Sequence, residues 1–419
     1  MSSHNFAEQL RNDLFKAYED ARKNKRNTSA QLDFEKDAES NLIQLYEELL
    51  DQSYTPGNAL CFLSTYPVLR EVFASHFRDR VVHHLLFNYI APIFEREFIY
   101  DSYSCRKGKG TMFGIERLDH HIRSCTDNYK SNAYVLKLDI QGYFMSINKK
   151  ILYDIISRKL FKYWEKHGVD CSIPSRNPEF IDFLLRQIIF KDHTLDCEVR
   201  GNKKDWMLLP ASKSLFGQPQ GIGLPIGDLT SQLFSNIYLG EFDNFIKREL
   251  HIRHYGRYVD DFYIVHTSKA YLKSLVPIIR SYLAETLQLT LHPKKIYLQP
   301  YTHGVSFLGA FVKPHRIYTC PRSIKAFNAK SKTIIKMCDK EELTTTELEE
   351  MRATLNSYCG YFGHHKSYKF IHKALTMSSI FKHIYFTSGY GKVKPRSHYI
   401  RKHKQRYNQE SDIKRILTI

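Results

Sequence analysis

The run Arg257-Tyr258-Val259-Asp260-Asp261-Phe262-Tyr263-Ile264-Val265 constrains the fold more than any other stretch of the chain. Apolar, β-branched and aromatic residues flank an Asp pair on both sides, the composition of two short strands meeting at a tight turn. Two like charges then sit on a hairpin tip, where neighbouring carboxylates repel unless solvent or a divalent cation offsets them. A solvated turn and a metal site both satisfy these residues, and a third carboxylate on a separate strand distinguishes them. Tyr134 to Phe144 supplies it, as an apolar strand ending in Asp139, then Gly142, Tyr143 and Phe144, with a helix expected over about 148–160. A strand-end Asp plus a hairpin Asp pair offers few, hard oxygen ligands and leaves coordination sites for phosphate oxygens and water, which suits two magnesium ions. Phosphoryl transfer depends mainly on positioning and charge neutralisation, so three carboxylates and a few cations can suffice.

The formal charge of +18 directs attention to polyanions, with nucleic acid the leading class of partner. The 28 Tyr and 27 Phe, interleaved with Lys and Arg, suit single-stranded nucleic acid, although most of these rings are assigned to the core. A chain of 419 residues holds two or three subdomains. Its eight cysteines include no C-x-x-C pair, which indicates neither a disulfide framework nor a zinc ribbon. There is no basic segment followed by an apolar run at the N-terminus and no apolar stretch of bilayer length, so a cytoplasmic protein without a membrane partner is expected.

In chain order, helices are expected over 6–25, ending in the basic cluster Arg22 to Arg26, and over 34–51, with a break at Tyr54 to Gly57 and a short strand over 59–64. The segment from Arg70 through Arg78 and Arg80 to Leu86 reads as cations packed onto the start of an apolar helix, a setting that favours phosphate. The loop Tyr100 to Thr111 carries Arg106, Lys107 and Lys109 between glycines and leads into a helix over 112–127. It reads equally as a phosphate-approach loop or a solvated basic turn, and it lacks the Walker spacing. Residues 151–212 form a helical connection with helices over 151–165 and 177–190, and the Gly-Pro loop Gly221 to Gln232 opens a long apolar helix. A helix over 269–287 precedes Leu289 to Lys295 and Gly304 to Phe311, read as a strand pair, and three basic helices follow over 321–338, 345–362 and 366–382. The tail from Lys392 to Arg415 reads as a nucleic-acid-binding arm or a solubilising segment.

From about 45 to 380 the chain resembles a reverse transcriptase. Tyr258-Val259-Asp260-Asp261 matches the family's Y-x-D-D box, Asp139 its first metal-binding Asp, Phe307-Leu308-Gly309 its primer grip, and Lys294-Lys295 the lysine-bearing segment before it. The resemblance implies an α+β, right-hand polymerase fold with an antiparallel palm sheet. Its parts would be an N-terminal helical extension (1–58), fingers (59–133), a palm (134–312, with a helical insertion near 151–220), a helical thumb (313–390) and a basic tail (391–419). It also implies that Asp139, Asp260 and Asp261, with Ile140 alongside, hold two Mg2+ ions, for which Mn2+ can substitute. Arg70, Arg78, Arg80, Arg106, Lys109 and Lys295 become candidates for triphosphate or template contacts. Phe144, with Tyr143 beside it, occupies the steric-gate position, where a ring would clash with a ribose 2′-hydroxyl and favour deoxynucleotides.

One departure narrows the resemblance. Most relatives carry Q-G-x-x-x-S-P before the long palm helix, whereas here Ile226 replaces the Gln, Gly227 is kept and Gln232 replaces the Pro. That pattern is similar to reverse transcriptases of diversity-generating retroelements, whose cDNA carries mutations at template adenines. It implies error-prone synthesis, with template RNA, cDNA or primer, dNTPs and a small basic accessory protein as partners. Replacing a hydrogen-bonding side chain near the incoming nucleotide by an apolar one removes a positional restraint, and shape alone discriminates by only a few kcal/mol. Retron, group II intron-like and phage-defence reverse transcriptases stand as alternatives, and a non-catalytic RNA-binding protein is the reading from another class. An RNA-dependent RNA polymerase shares the carboxylates, but Phe144 and the Y-x-D-D box favour DNA synthesis.

Overall fold

A computed structural model describes residues 2–23, 28–65, 68–365, 367, 371–372, 379–387 and 392–396. Three helices, α1 (Ser2–Arg22), α2 (Ser29–Glu35) and α3 (Ala38–Leu50), precede strands β1 (Ala59–Ser64) and β2 (Arg70–Ser75) and helix α4 (Phe77–Glu95). Then come α5 (Thr111–Cys125), β3 (Tyr134–Asp139), the short α6 (Tyr143–Ser146), α7 (Lys149–His167), α8 (Pro178–Ile189), β4 (Cys197–Val199), α9 (Lys203–Trp206) and α10 (Leu229–Asn244). The hairpin strands β5 (Tyr255–Tyr258) and β6 (Asp261–His266) are followed by α11 (Lys269–Leu287), β7 (Tyr297–Pro300), β8 (Val305–Phe307), β9 (Ala310–Lys313) and β10 (Arg316–Thr319). Helices α12 (Pro321–Cys338) and α13 (Thr345–His364) and the strands β11 (Ile384–Phe386) and β12 (Val393–Pro395) follow, with short 3-10 and π-helical segments between the elements. The chain divides into two compact units, one of residues 1–114 and 133–299, the other of 115–132 and the described residues from 300 onward.

The first unit is built on a four-stranded sheet, β5-β6-β3-β7, in which β5, β6 and β3 pair antiparallel. Val135, Leu136, Leu138, Phe262 and Ile264 are buried. Leu10 and Leu14 of α1, Leu85 of α4, Leu152 of α7, Ile237 of α10 and Leu283 of α11 join the same core, each at helical spacing from its buried neighbours. A second sheet, β2-β1-β4, pairs β1 with β2 antiparallel and with β4 in parallel. In the second unit β10, β9 and β8 form an antiparallel sheet, and Phe327 of α12 meets Phe362 of α13 edge to face at 5.1 Å.

Three expectations need correction. The cations from Arg70 onward do not open one helix, because Glu71, Phe73 and Ser75 are buried in alternation, a period-two pattern that makes this stretch a strand, and the helix starts only at Phe77. The helix expected over 34–51 is broken at Lys36–Asp37, where Asp37 leaves helical geometry and Asn41 Nδ2 donates to Phe34 O at 2.9 Å across the break. Leu289 to Lys295 and Gly304 to Phe311 do not pair with each other, since β8 and β9 form their own hairpin and Leu291 bridges Ile140 instead. Of the helix expected over 366–382, residues 366, 368–370 and 373–378 lie outside the described residues, as do Asn24, Lys25 and Arg26 and the tail beyond 396.

Candidate active site

In the β5–β6 hairpin Tyr258 pairs with Asp261, which leaves Val259 and Asp260 as a two-residue connection. Two-residue hairpins require positive φ at the first turn residue to match strand twist. Val259 meets this with φ +56°, a costly conformation for a β-branched side chain, of order 1–3 kcal/mol. On the other side of β6, Asp139 at the end of β3 stands directly opposite Asp261. Cross-strand neighbours lie within reach of each other's side chains, so the three carboxylates gather at one end of adjoining strands.

Two lysines supply counter-charge. Lys295 Nζ donates to both Asp139 oxygens at 2.9 and 3.0 Å, and Lys137 Nζ stands 3.1 Å from Asp261 Oδ2. Lys295 reaches Asp139 because the loop after α11 is stitched to the end of β3, with His292 N donating to Asp139 O and Gln141 N to Thr290 O. Burial, and next the charge of Asp139, push the Asp260 carboxyl up to about 6. Burial also pushes Asp261 up to about 6 despite Lys137, and its Oδ1 is buried without a hydrogen-bond partner.

Among the described residues no three His, Cys, Asp or Glu side chains converge as a ready-made metal centre. The donor set nonetheless suits a hard divalent ion, because it is all carboxylate oxygen, one oxygen is orphaned, and burial raises two of the carboxyls to about 6, a cost that a bound cation would offset. Ile140, buried next to Asp139, bridges Leu291 through its backbone.

Gly142, in the left-handed conformation, opens α6 and presents Tyr143 and Phe144. Tyr143 is buried with its hydroxyl donating to Ser235 O of α10, while Phe144 packs edge-on to it and its carbonyl accepts from Leu224 N at 2.8 Å. Phe144 and Ile226 pack against one apolar cluster of Ala59, Cys61, Phe73, Met145 and Leu215. Ile226 O accepts from Phe73 N of β2 at 2.8 Å, and Gly227 has φ +144° with its Cα so close to β2 that a Cβ would fall 2.0 Å from Phe73 O. Only glycine fits there. Gln232 is exposed on the first turns of α10.

Most of the basic candidates are engaged in their own neighbourhoods. Arg78 pairs with Glu48 and lies over the Tyr54 ring, and Arg80 Nε donates to Ser75 O at 2.9 Å. The Arg106 side chain, 6 % exposed, binds Glu95 and the carbonyls of Ile99 and Ser102. Lys109 donates to Tyr100 O and sits over the Tyr100 ring. Arg70 is exposed on β2. In the second unit Phe307 ends β8, and Leu308 and Gly309, both at positive φ, form the turn into β9, with the Tyr361 hydroxyl donating to Gly309 O.

Sequence reasoning missed two buried polar groups. Asp228, the N-cap residue of α10, accepts from the Ser75 hydroxyl at 2.6 Å, with His193 Nε2 at 3.3 Å and His83 Nε2 at 3.7 Å from its other oxygen. Burial alone would raise its carboxyl, but the two histidines and the hydroxyl hold it down at about 2. The second is the pair Arg257–Asp243 beneath the hairpin, both about 0–1 % exposed. The only sequence signal was a charged residue among mostly apolar neighbours at Asp228 and Arg257, and Asp243, between Glu241 and Asn244, carried none.

Carboxylates at strand ends with lysines against them are the kind of groups that nucleotidyl transfer requires. The family model described as "Reverse transcriptase (RNA-dependent DNA polymerase)" matches residues 70–312, more than half of the chain, and the protein belongs to this family. Protein YkfC of Escherichia coli strain K12 is 22 % identical over 299 residues, covering 63 % of this chain and 69 % of that protein. Among solved structures, apo telomerase of Candida tropicalis truncated of its C-terminal domain aligns with a TM-score of 0.44 at 13 % identity, over 63 % of this chain and 55 % of that one. Telomerase of Candida albicans in complex with a fragment of telomeric RNA aligns with a TM-score of 0.44 at 12 % identity, over 79 % of this chain and 61 % of that one. The chain thus spans less than two thirds of either telomerase chain.

Proposed function

We propose that the protein copies an RNA template into DNA from dNTPs, at a site formed by Asp139, Asp260 and Asp261. The observation that carries this reading is the register that sets Asp139 opposite Asp261, with Asp260 on the adjoining turn, inside the family-matched segment. In this reading residues 59–133 supply the fingers and 134–312 the palm of a right-hand polymerase, and the helices within 313–390 supply the thumb. Divalent ions, Mg2+ or Mn2+, would be held by the three carboxylates and would neutralise the charge that develops on the transferred phosphoryl group. The chain's own contribution is positional. The β3–β6 pairing fixes the spacing of the carboxylates, and Lys295 on Asp139 and Lys137 on Asp261 supply nearby positive charge. Phe144 is the ring that would exclude a ribose 2′-hydroxyl. Primer extension on a defined RNA by wild type and Asp260→Asn tests the assignment, and cDNA synthesis that survives the substitution refutes it.

The finer reading is error-prone synthesis in a diversity-generating retroelement, in a cytoplasmic setting and with a small basic accessory protein. Its support is that Ile226 presents an apolar side chain, packed against the same buried cluster as Phe144, where relatives carry a Gln. Sequencing cDNA made by wild type and Ile226→Gln should show fewer misincorporations opposite template adenine in the variant. Equal error rates would count against this reading.

A further inference from the structure

Arg257 is fully buried, and all five of its guanidinium N–H donors have an acceptor. Nε and one Nη2 hydrogen form a fork on Asp243 of α10 at 2.8 and 2.6 Å. The other Nη2 hydrogen reaches Ser102 Oγ at 3.2 Å, and Nη1 reaches Asn236 Oδ1 of α10 at 3.4 Å and the carbonyl of Val259 at 2.9 Å. Tyr255, two residues before it on β5, adds its hydroxyl to Asp243 Oδ1 at 2.6 Å. The backbone of Arg257 takes part as well, with its N–H donating to Asp101 O and its carbonyl accepting from Tyr103 N. Asn236 in turn exchanges hydrogen bonds with Ser104.

A buried ion pair is weak evidence for net stability, since desolvation offsets much of the attraction, and a packed apolar pair often does as well. What an apolar pair cannot do is hold a carbonyl in place. The Val259 carbonyl belongs to the strained left-handed residue of the turn and immediately precedes Asp260. We infer that Arg257, set by Asp243, is a positioning residue that clamps the Val259 carbonyl and thereby holds Asp260 and Asp261 in the geometry that receives divalent cations. The same guanidinium ties the 101–104 segment and α10 to the hairpin, so the carboxylates are registered against both. A lysine has at most three donors on one nitrogen and cannot fork onto Asp243 while reaching Val259.

The inference rests on the metal-site reading, and the test separates the two. Hydrogen–deuterium exchange on metal-free Arg257→Lys should show amides 258–262 exchanging about tenfold faster, with 134–138 of β3 unchanged. Mn2+ binding, followed by the loss of the free-ion spin resonance signal, should weaken about tenfold in Arg257→Lys. It should return to within about threefold of wild type in Arg257→Lys with Val259→Gly, because glycine adopts the left-handed turn without a clamp. Unchanged exchange at 258–262, unchanged Mn2+ affinity, or no recovery with Val259→Gly overturns the inference. If Arg257→Lys does not fold, Tyr255→Phe provides the milder arm, and unaltered exchange of the turn in that variant overturns it equally. A wild-type protein that binds no Mn2+ in an Asp260-dependent way sinks the metal reading, while the exchange result still decides the clamp.

Discussion

Replacing Asp260 by asparagine should make the metal-free protein more stable at pH 8, although it removes a residue of the proposed site. In the folded chain this carboxyl is raised from 3.8 to about 6 by burial, then by Asp139 and Asp261, against the smaller opposing effects of a backbone hydrogen bond and of Lys295. A native value above the unfolded one means that the folded protein holds the extra proton between those two pH values. The contribution to stability is complete below about 3.8 and is lost as the pH rises through about 6. Two units correspond to about 3 kcal/mol at 1.36 kcal/mol per unit, an upper figure because the side chain keeps some contact with water. The variant has no proton to lose. Urea unfolding in EDTA across pH 4–8 should therefore show wild type and Asp260→Asn converging near pH 4 and separating by up to about 3 kcal/mol in favour of the variant at pH 8. Adding Mn2+ should stabilise wild type and leave the variant little changed, since only a native state that binds the ion gains from it. A variant that is less stable at pH 8, or a difference independent of pH, would refute the reasoning that burial and the charge of Asp139 strain this carboxyl.

Two further outcomes follow from the neighbouring contacts. Gly227→Ala should destabilise by about 3 kcal/mol or more in urea unfolding, combining left-handed strain with loss of the bond from Phe73 N to Ile226 O, and wild-type stability would show that β2 can shift cheaply. Phe144→Ala should raise ribonucleotide incorporation relative to deoxynucleotide by about tenfold or more in single-nucleotide extension, and unchanged discrimination would remove the ring from its gate role.

What the local sequence determined is what local periodicity and short-range chemistry encode. Helix α11 runs over Lys269–Leu287 and α12 over Pro321–Cys338, as the spacing of apolar residues indicates, because Ser268 caps the first and Pro321 opens the second. The strand–Asp–Asp–strand hairpin and the strand ending in Asp139 were legible for the same reason. A period-two run bounded by a turn records which face is buried without any knowledge of the partner. The motif at Ile226 and Gly227 was legible as a pattern, but the need for glycine was not, since it comes from the β2 backbone, some 150 residues earlier in the chain.

The tertiary structure alone decided where the charges go. Arg106 and Lys109 looked available to a phosphate in the sequence, yet their cations are engaged by Glu95 and nearby carbonyls, because the loop folds back on α4. His83, His193 and Asp228 meet from three distant parts of the chain, and Arg257 finds Asp243 only because β5 lies under α10. A side chain's burial face is written in its immediate neighbours, whereas its partner depends on which element the fold sets beside it, and the electrostatic character of this site belongs to that second kind of information.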